Sequence, residues 1–210
     1  MPRLTKSPMP WMTAGWPLPG LAVGALALLL GGCGGPAAKS AEEINASYEQ
    51  ALARTAPLAV EVAGGDEGAR QALTGAEDLF GEMTGAAIRA KVGAVYAPDA
   101  YLNDNLAVVQ GAPAIGEYFA RTAGRVRALR VAFLGVTHAG PDYFARWRMT
   151  VESPRLNDGA PMVSYGMTHF RFDGQGRILV HKDFWDAGTG LYEYLPVLRP
   201  VLRTVRATAG

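Results

Sequence analysis

The chain has 210 residues, 49% of them hydrophobic, with a formal net charge of +1 at neutral pH, three His and a single Cys. Near-neutral charge excludes nucleic acid as a partner held by bulk electrostatics. The scattered histidines and lone cysteine offer no metal-ligand spacing, and no phosphate-cradling glycine loop or Gly-x-Ser-x-Gly elbow is present, so no cofactor is expected.

The N-terminus opens with Arg3 and Lys6, continues through the apolar run from Leu21 to Leu30, and ends in Leu30-Gly31-Gly32-Cys33. The apolar core is too short to cross a bilayer and reads as a secretory signal peptide over residues 1–32. LGGC resembles the lipobox of bacterial lipoproteins, which implies cleavage before Cys33 and lipid on its thiol and new amino group. Gly34 follows the cysteine, rather than the Asp associated with inner-membrane retention, so the expected address is the periplasmic side of the outer membrane. Without residues 1–32 the chain has 178 residues and a net charge of −1, a size suited to one domain.

Residues 33–68 are expected to hold the lipidated Cys33, a small-residue spacer (Gly34 to Ser40) and a first helix, Ala41 to Arg54, capped by Ser40 with Glu43 three residues on. A second helix is expected over Ala69 to Met83, and a third behind Thr84 with Ile88, Val92 and Val95 as its apolar stripe. Tyr96-Ala97-Pro98-Asp99 stops that helix. The pattern then turns to β: a short strand at Ala100 to Asn103, then a helix at Pro113 to Thr122 burying Ile115, Tyr118 and Phe119. Strands follow at Leu129 to Val136, Tyr143 to Glu152, Met162 to Phe172 and Arg177 to Trp185, separated by turn signals such as Asp173-Gly174. Helices followed by long antiparallel strands predict an α+β cone, a curved sheet wrapped around helices, over residues 69–198. Residues 199–210 form a basic tail. Leu198, Val201, Leu202 and Val205 alternate there with Arg199, Arg203 and Arg206, so it could touch anionic lipid. The interruptions at Pro196 and Pro200 favour packing back on the domain or fraying.

The last strand carries the densest chemistry. His181, Asp183 and Trp185 share one face, an imidazole, a carboxylate and an indole beside one another at the end of an apolar strand. An Asp in an apolar pocket has its charged form disfavoured, which suits acid/base work; alternatively Asp183 pairs with Arg148 and holds the sheet together. His181 is either a proton partner of Asp183 or a partly exposed strand histidine. Tyr101 and Asn103 share a face and could donate to a substrate oxygen, whereas Asp104 points the other way and reads as solvated. Arg146, Arg148, Thr150 and Glu152 alternate with Trp147, Met149 and Val151 as a solvent or dimer face. His169 reads as structural and His138 as part of a turn.

The helix ending in Tyr96-Ala97-Pro98-Asp99-Ala100, the Gly111…Ile115…Tyr118-Phe119 helix, the FRFDGQGRI hairpin, the HKDFWD strand and Leu191-Tyr192-Glu193 together resemble the nuclear transport factor 2-like superfamily and, within it, the SnoaL-like group. The superfamily includes ketosteroid isomerases, polyketide cyclases, dehydratases, limonene epoxide hydrolase and non-catalytic binders. The resemblance implies a pocket for a small apolar molecule, with Trp185, Phe170, Thr150 and His169 as lining candidates, and a homodimer formed through the sheet. Tyr101-Leu102-Asn103 looks like the water-positioning Tyr-x-Asn of limonene epoxide hydrolase. Arg148-Met149-Thr150 corresponds to its Arg-x-Asp, and Asp183 to its second Asp. Thr150 stands where the base would be, and a neutral hydroxyl cannot deprotonate water near pH 7, so epoxide hydrolysis is not expected. Two functions remain: a binder of a small apolar molecule, or an isomerase, cyclase or dehydratase with Asp183 as acid/base and Tyr101, Asn103, Arg148 and His181 as polar partners.

Overall fold

The computed structural model describes residues 39–82 and 84–209; the signal segment, the LGGC motif and Cys33 lie outside the described residues. Helix α1 (Ala41–Thr55) starts where the sequence places it, on a reciprocal capping box. The Glu43 amide donates to Ser40 Oγ at 3.1 Å and the Ser40 amide to Glu43 Oε2 at 2.6 Å, so two orphan donors are satisfied at once. Helix α2 (Gly65–Gly81) begins four residues before the expected Ala69. Gly64, at φ 88°, supplies the left-handed turn that lets it start there. Its buried residues Ala69, Leu73, Ala76 and Leu79 recur at helical spacing. Helix α3 (Gly85–Val95) buries Ile88 and Val92; its N-cap is Thr84, but the hydroxyl makes no capping bond.

Strand β1 (Tyr96–Asn103) begins where α3 ends and runs through Pro98, earlier than the sequence suggests. Its register shifts between Tyr96 and Tyr101; that irregularity accommodates a residue with no amide to donate. A short strand β2 (Val108–Gln110) and helix α4 (Ala112–Ala123) precede the four long strands β3 (Ala128–Ala139), β4 (Asp142–Glu152), β5 (Met162–Phe172) and β6 (Ile178–Trp185). The sheet order is β2-β1-β6-β5-β4-β3. β3 to β6 form an antiparallel meander, and β1 joins it parallel to β6. The chain closes with helices α5 (Ala187–Gly190) and α6 (Leu198–Ala209). Pro200 is tolerated because it falls in the first turn of α6.

The concave face of the sheet packs on α2, α3 and α4. Tyr96, Ala100, Leu102, Tyr143, Ala145, Phe170, Phe172 and Ile178 meet Leu73, Leu79, Ile88, Val92 and Ile115 there. Gly116 is required at the α3–α4 crossing, since a Cβ would stand 2.9 Å from Val92 Cγ1. Helix α1 lies on the opposite, convex face, with Ala51, Tyr48 and Leu52 on Tyr101 and Val180. Although the sequence groups it with the tether, α1 belongs to the compact unit Lys39–Gly210.

Candidate functional site

Period-2 alternation sorts the candidate residues onto two faces. On β6, His181 and Asp183 face the concave side while Lys182 and Phe184 face outward; on β1 Leu102, and just beyond it Asp104, face inward while Tyr101 and Asn103 face outward.

The concave set is one connected network. Tyr96 Oη donates to His181 Nδ1 at 2.7 Å, and His181 Nε2–H donates to Asp183 Oδ1 at 3.0 Å, the tautomer that the carboxylate selects. Thr168 Oγ1 donates to the same Asp183 oxygen and accepts from Trp147 Nε1 at 2.8 Å. Phe170 and Phe80 enclose the imidazole edge-on, at ring separations of 4.9 and 5.8 Å. Asp183 thus has one oxygen fixed by two donors. Its Oδ2 has no hydrogen-bond partner among the described residues and is not sealed from solvent, the side chain being 16% exposed.

Asp104 is the residue that sequence reasoning misplaced. It is partly buried on the concave side, where Tyr118 donates to its Oδ2 and the amides of Leu106 and Ala107 donate to its Oδ1. Burial pushes its carboxyl above the ordinary aspartate value against those hydrogen bonds, and the neighbouring Asp183 charge pushes the same way. Burial likewise raises the phenols of Tyr96 and Tyr118, and both also feel the two aspartates. Trp185 closes the set: its Nε1 donates to the Asp104 carbonyl at 3.0 Å, and its ring lies 6.5 Å from that of Trp147. Only glycine fits between these indoles at position 166, because a Cβ there would meet Trp147 Cζ2 at 2.3 Å. Alternation did place Asp104 opposite Tyr101 and Asn103; what it could not show is that this face is the one turned to the helices.

The remaining candidates do not converge on this cluster. Tyr101 and Asn103 hydrogen-bond each other at 3.0 Å on the convex side, where Tyr101 also meets Ser47 and Asn103 accepts from Lys182. Arg148 is exposed and donates to Thr150 Oγ1 at 3.0 Å, so it makes no pair with Asp183 and Thr150 lines no pocket with it. His169 lies under α1, accepting from Tyr48 at 2.6 Å and donating to Asp142 at 2.7 Å. Phe170 is on the concave face but fully buried in the core, packed on Phe133 and Phe172. His138 lies on β3 rather than in a turn, bonded to Asp66 and stacked 5.0 Å from Tyr143.

Two open surface hollows lie elsewhere. One, of about 370 Å³, is lined by Leu58, Pro98, Asp99, Asp173 and Arg177; the other, of about 220 Å³, by Val136, Phe144, Arg146 and Met167. The expected roomy pocket at Asp183 is not among them. Aromatic side chains fill the inner space, and the polar cluster stands at the rim where β6 ends.

A SnoaL-like domain family matches residues 76–181, about half the chain. No curated protein sequence matches it. Among solved structures, the chain is similar to a protein of ketosteroid isomerase-like fold from Catenulispora acidiphila, solved with trimethylamine. The two share 18% identity over 59% of this chain and 91% of that one, with a TM-score of 0.51. It is also similar to TsrD from Streptomyces laurentii, with 17% identity over 60% and 93% of the two chains and a TM-score of 0.50. Likenesses at that identity establish the fold alone. With the family match, the inward helices and the curved six-stranded sheet agreeing, this chain belongs to the SnoaL-like domain family, of nuclear transport factor 2-like fold.

Proposed function

We propose that this protein is an envelope lipoprotein, anchored through Cys33, whose domain receives a small apolar molecule at the concave rim and moves a proton on it in the manner of an isomerase or cyclase. One observation carries the reading: Asp183 is held through Oδ1 while its Oδ2 has no partner among the described residues. A carboxylate committed only to structure has no use for a free oxygen at a rim lined by Trp185. Asp183 is the base in this reading. Asp104, which keeps its proton to higher pH than an exposed aspartate, is the nearby acid. Tyr101, Asn103 and Arg148 take no part, and epoxide hydrolysis is not proposed.

The test is deuterium uptake from heavy water into an apolar cyclic ketone. Exchange above background with the unmodified chain, lost in Asp183→Asn and reduced in Asp104→Asn, supports proton transfer; equal exchange in all three sinks it. The filled aromatic interior favours a second reading, a binder that holds its guest unchanged at the rim. Native mass spectrometry of protein taken from its own envelope, showing an intact co-purifying molecule without any exchange activity, selects that reading. We further propose that a second copy covers the bare half of the convex face, where Val163, Tyr165, Met167 and Phe184 are exposed. Light scattering that gives a monomer mass at all concentrations refutes it.

A further inference from the structure

Helix α6 is the least integrated element of the fold. None of its 12 residues is buried, and Val201 and Val205 stand 57% and 51% exposed. Its residues nevertheless sort cleanly: Leu198, Val201, Leu202 and Val205 form one stripe at helical spacing, with Arg199, Arg203 and Arg206 in a row beside it. No acidic residue occurs from Tyr194 to the end of the chain. Leu198 and Leu202 are half-buried, and the basic side holds on through Glu193: Arg203 and Arg206 pair with its carboxylate, and Arg199 donates to its carbonyl. Two of these three charges exceed what Glu193 neutralises, and the Arg203 side chain remains 67% exposed. The arrangement holds the helix in place while turning its valines away from the body.

A second observation bears on what could cover that stripe. Helix α1 runs antiparallel to β6. Its Ser47 and Tyr48 lie against Tyr101 and Phe184, and Leu52 lies beside Arg171 further down the sheet. The start of α1 and the end of β6 therefore share one end of the sheet, and β6 leads from that end into α5 and α6. If Cys33 carries lipid, the seven residues from it to Ser40 reach at most about 25 Å, which keeps this end of the domain near the bilayer.

We infer that α6 is an interfacial helix that rests on an anionic phospholipid surface, with Val201 and Val205 among the acyl boundary and Arg199, Arg203 and Arg206 at headgroup level. Basic and apolar stripes side by side on one short helix match that boundary. A second copy of this all-basic helix would bring like charges together. Docking this way also sets the rim bearing Asp183 and Trp185 at the membrane-facing end, where an apolar molecule leaving the bilayer would arrive.

Hydrogen exchange read by mass spectrometry on the full chain tests this. The chain is mixed with vesicles of phosphatidylcholine alone, or of phosphatidylcholine with phosphatidylglycerol. The expected result is slowed exchange in residues 198–209 on the anionic vesicles only, reversed by salt. Replacing Arg199, Arg203 and Arg206 by Gln should weaken that protection by roughly fivefold per uncompensated arginine. Val201→Asp with Val205→Asp should abolish it. Unchanged exchange in β4 and β5 shows that the variants still fold. Equal exchange on both vesicle types overturns the inference. So does protection that grows with protein concentration without lipid, which would make a second copy the partner.

Discussion

The two faces of the sheet carry nearly the same triplet. On the concave face Tyr96, His181 and Asp183 are linked in a row; on the convex face Tyr48, His169 and Asp142 are linked in the same order. They differ in one residue. Asp142 also faces Arg171, which donates to Oδ1 at 2.5 Å and to Oδ2 at 3.3 Å, so both carboxylate oxygens are engaged. Asp183 has Thr168 in place of an arginine, and its Oδ2 has no partner among the described residues. Burial alone would raise the Asp142 carboxyl, but the hydrogen bonds from Arg171 and His169 outweigh it and hold it below the ordinary value. Burial lowers His169 and pushes Tyr48 up to about 12. The convex triplet fastens α1 to the sheet, with Arg171 also reaching the Leu52 carbonyl at 2.7 Å. The contrast is between a Tyr-His-Asp row whose carboxylate an arginine completes on both oxygens and one whose carboxylate is held through a single oxygen.

Several measurements would break or sharpen that contrast. The largest effect is expected from Phe170→Ala, which empties the packing beneath the concave row. It should cost roughly 3–5 kcal/mol in urea unfolding, and a much smaller loss would mean the interior is loosely filled. Next, Asp142→Asn should cost about 2–3 kcal/mol by stranding the partly buried Arg171. Asp183→Asn should cost under about 1 kcal/mol, since Thr168 rather than an arginine shares its fixed oxygen. Equal losses would erase the distinction between the two faces.

The pH dependence should run in opposite directions. The His169 value is depressed below 6.5 and that of Asp142 below 3.8, so their contributions are complete above those values and are lost as pH falls through the folded ones. Asp104 is raised above 3.8, so its contribution is complete below that pH and is lost as pH rises through its folded value. Asp104→Asn should therefore gain stability relative to the parent as pH rises above 3.8, and His169→Gln should flatten the acid loss below 6.5. Melting curves across that range check both signs. The smallest effect belongs to Arg148→Ala, within about 0.5 kcal/mol and with no change in proton exchange. A loss of exchange would return Arg148 to the site.

The sequence alone determined most of the long helices and strands, their order and the family resemblance, while the short strand Val108–Gln110 and the helices Ala187–Gly190 and Leu198–Ala209 were not foreseen. Helical stripes, Asp-Gly turns and strand alternation are local patterns, each set by residues within a few positions of one another. Met162 to Phe172 has the bounds expected of it, and the Ser40–Glu43 box forms as expected. Alternation also correctly grouped His181 with Asp183 and Tyr101 with Asn103. It could not say which group faces the core, because that depends on the strands and helices packed on each side. Tertiary structure decided that Asp104 turns inward and Arg148 outward, and that α1 covers the convex face over Tyr101 and Val180. Those choices come from burying the larger apolar set against α2, α3 and α4, a sum over contacts far apart in the chain that no single segment carries.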